Sequence, residues 1–196
     1  MRNFKIISLE NQFNTIRAPQ TRVGDIFEIP ITPLTKRYMQ FILVDSSCLG
    51  GWCIRVFKKE YATEDKPNME DVISDKVDFH CLTYAIGHGV LDELWTKAGK
   101  SKELGSFDNI VFKQKDIIHG GWRIWRARQE VKHYKTLPKK YVKASKGALL
   151  APMSVVNRIR TGRWMDIPNV YDDYKGASFF ERLAGAEFIP KELKII

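Results

Sequence analysis

Three cysteines and four histidines are the residues of this 196-residue chain best suited to nucleophilic or metal chemistry, and their spacing argues against both. Cys81 with His88, or Cys48 with His119, pair on paper as thiol and base. A working nucleophile needs that base positioned against it, and nothing in either spacing supplies the geometry. Zinc asks for three or four sulfur or nitrogen ligands, so His80, Cys81 and His88 would need completion from Cys48, Cys53, His119 or His133 across the fold. No CxxC or HExxH motif anchors such a set, and neighbours such as His80 and Cys81 point to opposite faces of a strand. Gly99-Lys100-Ser101 resembles the end of a phosphate-binding loop, but the first glycine of that pattern falls on Leu94, whose side chain would crowd the anion. Gly87-His88-Gly89 lacks the third glycine of a dinucleotide fingerprint. The adjacent carboxylates Glu64-Asp65, Glu70-Asp71, Asp92-Glu93 and Asp172-Asp173 lie in polar stretches where such pairs are normally solvated. The chain therefore reads as non-enzymatic, with no cofactor and no metal.

Charge is the more informative chemistry. The formal net charge is +9, and residues 117–165 alone carry more than that: twelve lysines and arginines are answered only by Glu130. Within this stretch Arg123, Arg126, Arg128, Lys132, Lys135, Lys139 and Lys140 are interleaved with Trp122, Trp125, His133, Tyr134 and Tyr141. Cations that neutralise phosphates, set beside rings that stack on unpaired bases, define a nucleic-acid reading. The competing reading is a solvated face that pairs with the acidic cluster Glu64, Asp65, Glu70, Asp71, Asp75 and Asp78, with most of the aromatics serving as core anchors.

The elements that must position these groups are mainly strands. Residues 24–31 are β-branched and aromatic and end near Pro30, as an edge strand does; 38–44 is apolar on both faces except Gln40, as a central strand is. Gly50-Gly51 supplies a turn into a strand at 52–57, and 61–70 reads as a surface loop before a strand over 77–86. After Gly87-His88-Gly89, the spacing of Val90, Leu91, Leu94 and Trp95 predicts a short helix ending near Gly99. Strands follow over 107–113 and 122–128, and Gly120-Gly121-Trp122-Arg123-Ile124 echoes Gly50-Gly51-Trp52-Cys53-Ile54. Pro152 and Gly162 bracket a helix, and Ser178-Phe179-Phe180-Glu181 has the form of a capping box. The expected class is α+β: a twisted, mainly antiparallel meander with a few short helices, comprising a strand-rich domain over 1–136 and a basic, helical extension over 137–196 packed on the same core.

Charged residues interrupt the N-terminus too early for a secretory signal, no apolar run has membrane-spanning length, and the odd cysteine count does not form a disulfide framework. A cytoplasmic protein with reduced thiols and no membrane partner is expected.

The residues Val23-Gly24-Asp25-Ile26-Phe27-Glu28-Ile29-Pro30-Ile31, followed by Tyr38-Met39-Gln40-Phe41-Ile42-Leu43-Val44, resemble the start of the immunity-protein-26 family of bacterial polymorphic toxin systems. The stretch 89–97, with Leu94-Trp95 before a turn and another strand from Phe107, is similar to that family's middle. The resemblance implies a cytoplasmic antidote that binds a cognate protein toxin and blocks its active site or its access to substrate. It carries over no functional residue. Two charge arrangements satisfy it: the acidic cluster facing a basic toxin, or the basic stretch facing an acidic one, with complementary fields speeding association in either case.

Overall fold

Strand pairing begins where the sequence turns β-branched. The computed structural model describes residues 18–164, and those up to Arg163 belong to one compact unit. The strands β1 (Asp25–Pro30), β2 (Thr35–Asp45), β3 (Gly51–Phe57) and β5 (Val77–Thr83) follow one another as an antiparallel meander. The two-residue β4 (Tyr61–Ala62) pairs with the start of β2. One edge of this large sheet is closed by β6 (Thr96–Lys100) against β1 and the other by β11 (Leu149–Leu150), parallel to β5. A smaller sheet has the order β10 (Ser145–Lys146), β7 (Val111–Lys115), β8 (Trp122–Arg126), β9 (Lys132–Tyr134). The α+β class expected from sequence is the class observed.

Two cores hold these layers. Leu43, Cys53 and Leu82 of the large sheet meet Phe112 and Trp125 of the small one, and removing such side chains from water supplies roughly 1.5–3 kcal/mol each. At the other end of the large sheet, Ile26, Tyr38 and Phe57 pack with Tyr61 and with Val72 of helix α1 (Met69–Ser74). Helix α3 (Pro152–Thr161) buries Val155, Val156 and Ile159, and its C-cap Gly162 takes φ 72°, the left-handed conformation a glycine accepts without penalty. Residues 145–161 thus supply an edge strand to each sheet and a packed helix within that unit.

Local expectations failed at several places: the strand expected over 77–86 stops at Thr83, and the strand expected over 107–113 starts only at Val111. The helix expected to run to Gly99 is only α2 (Ile86–Leu91); β6 replaces its second half. Burial of Trp95 decides this, because its indole packs on Gly89 and donates to the Ile86 carbonyl at 2.9 Å, which folds the chain back and leaves 96–100 free to pair with the open edge of β1. The loop expected over 61–70 contains the start of α1, whose Asn68 side chain accepts from the Glu70 N–H. The capping box at 178–181 lies outside the described residues.

A polar row crosses the large sheet in register: Gln40 on β2, Arg55 on β3 and His80 on β5. Arg55 donates to the Gln40 amide oxygen at 2.8 Å and to the Glu103 carbonyl at 2.9 Å, tying the 101–105 loop to the sheet. Burial, and secondarily the Arg55 charge, hold the His80 imidazole down to about 4.

Candidate partner-binding surface

The turn between β7 and β8 presents apolar side chains on a braced backbone. Asp116, 3% exposed, follows β7; its Oδ1 accepts from the backbone N–H groups of Ile118 and His119, each at 3.2 Å, and its own N–H donates to the Gly121 carbonyl at 2.9 Å. An aspartate that satisfies the N–H groups two and three residues ahead makes a rigid turn, and Gly120 and Gly121 complete it with φ of 76° and 82°. A side chain at Gly121 would strike the Tyr134 carbonyl, so the turn is held from the β9 side as well. At its tip Ile117 is 60% and Ile118 84% exposed.

Two imidazoles flank that tip. His119 Nδ1 and His133 Nδ1 each lie 3.4 Å from Asp116 Oδ2, and both rings are largely open to solvent. The His119 backbone N–H, with help from its ring and from Ile118, holds the Asp116 carboxyl below its ordinary range against the opposing effect of desolvation. Among the described residues no group of three histidine, cysteine or acidic side chains is placed to hold a metal ion.

The thiols show no nucleophilic arrangement. Cys53 and Cys81 are fully buried and burial pushes both well above the usual thiol range; burial also raises Cys48, overcoming the nearby Arg123 charge. His88 is exposed, whereas Cys81 is enclosed in the sheet.

The acidic cluster is divided between structural and free positions. Asp78 pairs with Arg37 at 2.7 Å, Asp75 accepts from the Tyr61 hydroxyl at 2.7 Å, and Asp65 accepts from the Ala62 N–H at 3.0 Å. Glu64, Glu70 and Asp71 are exposed, the latter two in the first turn of α1. Half of the cluster is thus already committed within the fold.

The basic candidates separate by sheet face. Arg126 and Lys132 lie on the outer face of the small sheet, with Trp122, Tyr134 and Tyr141 half-buried around them. Arg123 lies on the opposite face, in register with Gln114 and His133, with its Nε shielded from solvent. Arg128 sits over the Phe107 ring, and its N–H donates to Asp45 at 3.1 Å. Lys135 is exposed after β9, and Lys139 and Lys140 sit in a 3₁₀ turn over Lys139–Tyr141. None of these seven pairs with a carboxylate among the described residues, so ion pairing with the acidic cluster does not cancel their field. Of the aromatics in this stretch only Trp125 is a fully buried anchor.

Sequence reasoning passed over Asp116, Ile117 and Ile118. The signal was present: two consecutive isoleucines between an aspartate and a Gly-Gly pair place apolar residues inside turn chemistry. Comparison with protein-family models, curated proteins and solved structures found no match.

Proposed function

We propose that this chain is a non-enzymatic cytoplasmic antidote that binds and neutralises a cognate protein toxin, with the β7–β8 tip as its anchor. The observation that carries the reading is the Asp116-braced turn exposing Ile117 and Ile118. A rigid turn loses little entropy on binding, and apolar side chains presented this way fill a partner's pocket as interface anchors do. The likeness of 23–31 and 38–44 to immunity proteins supports the same reading, since those residues build β1 and β2, the frame rather than the contact surface. Lys115 and Lys135 stand beside the tip, so the complementary partner surface is acidic around an apolar pocket.

The test is co-expression with the toxin encoded beside this chain, followed by purification and calorimetry. A stable complex is expected, weakened more than about tenfold by Ile118→Asp, as for a hot-spot residue. Absence of a neighbouring toxin, or a complex indifferent to Ile118→Asp and Ile117→Asp, refutes the reading.

A further inference from the structure

Beyond the antidote reading, we propose that the outer face of the small sheet binds single-stranded nucleic acid. Side chains alternate across a sheet, so residues in register on β7, β8 and β9 stand side by side on one face. One row is Lys115, Trp122 and Tyr134, and the next on the same face is Lys113, Ile124 and Lys132. Arg126 follows Ile124 on that face. The opposite face carries Phe112 and Trp125 into the core.

Trp122 and Tyr134 thus stand opposite each other on neighbouring strands, their backbones one strand spacing apart, roughly 5 Å, with exposed cations on either side. Tyr141 adds a third ring: its centroid lies 6.0 Å from that of Tyr134, and the Lys140 ammonium sits 5.0 Å over it. Desolvation raises the Tyr141 phenol, but its hydrogen bond with Tyr134 and the charges of Lys140 and Arg126 outweigh this and leave it below its ordinary value. A cleft open to solvent lies between Ile124, Arg126, Glu130, Lys132 and Tyr141, so this face offers a groove rather than a closed pocket. Bases must therefore stack on the rings while Lys115, Arg126, Lys132 and Lys140 meet the phosphates. Stacking needs unpaired bases, which selects a single strand over a duplex.

The experiment is fluorescence anisotropy of the full chain with a labelled oligo(U) of about 12 nucleotides, with a duplex and heparin as competitors. The expected result is single-strand binding that falls about 50-fold between roughly 50 and 200 mM salt, as for four neutralised phosphates. Arg126→Glu with Lys132→Glu, both at exposed positions, should abolish it, and Tyr134→Leu should weaken it about tenfold with the charge unchanged. Ile118→Ala, which adds no charge beside Lys115, the residue common to both surfaces, should leave it intact while weakening the antidote complex. No binding at low salt overturns the proposal. So does binding that duplex or heparin displaces equally well and that survives Tyr134→Leu, the behaviour of a general polyanion or acidic-protein surface.

Discussion

The indole N–H of Trp125 donates to the carboxylate of Asp45 at 3.0 Å, joining the small sheet to the end of β2 with both side chains out of solvent. The same carboxylate accepts from the N–H of Arg128, which takes φ 62°, and from the Ser47 N–H. One buried carboxyl group therefore ties the small sheet to the end of β2 and fixes the exit of the chain from β8. Asp45→Ala leaves these donors unpaired and should cost about 3 kcal/mol, while Trp125→Phe, which keeps most of the packing, should cost about 1.5–3 kcal/mol. Denaturant melts of the two variants check the order.

The His80 imidazole, held at about 4, gives a pH dependence of known sign. The unfolded chain takes up a proton near pH 6.5 and the folded chain does not, so stability is complete above that pH and declines as pH falls toward 4. From pH 7 to 5 the loss should be about 2 kcal/mol, and His80→Gln should flatten that part of the profile. An unchanged slope in the variant would assign the effect to another group.

Gly89→Ala tests the contact that turned an expected helix into β6. A methyl group there would lie 2.1 Å from the Trp95 ring, which is itself fully buried and fixed by its bond to Ile86. The expected cost is about 1–3 kcal/mol, the usual range for overpacking, and near-ultraviolet circular dichroism should report a displaced Trp95.

Glu64→Lys combined with Glu70→Lys separates the two charged surfaces. Both side chains are exposed, and the reversal should leave the melting temperature nearly unchanged. If the toxin binds the β7–β8 tip, affinity should hold within about twofold; a collapse in affinity would return the interface to the acidic cluster.

The parts of this fold that were legible in the sequence are those governed by local signals. β1 to β3 follow from β-branched runs between turn residues, and α3 from Pro152 at its start and Gly162 at its stop. What escaped depends on distant partners. Residues 96–100 are polar and carry a glycine, and they become a strand only because β1 offers an unpaired edge. Likewise β10 and β11 are two residues each and have no pattern of their own; the strands they join define them. The basic stretch was visible as composition, but its division between an outer face with Arg126 and Lys132 and an inner one with Arg123 rests on β7–β8–β9 register, which single-sequence patterning does not set.

The placement of those two short strands bears on how the protein folds as it is made. Ser145–Lys146 joins the small sheet and, a few residues later, Leu149–Leu150 joins the large one, both in parallel. Parallel pairing between residues far apart in sequence forms late, because the intervening loop must be closed before any bond rewards it. Until this segment leaves the ribosome, β5 and β7 each present an uncovered edge, a template for pairing with another chain. The segment 145–150 is thus the clasp that ends the vulnerable period of synthesis, and a chain truncated before Ser145 should aggregate rather than accumulate as a smaller folded domain.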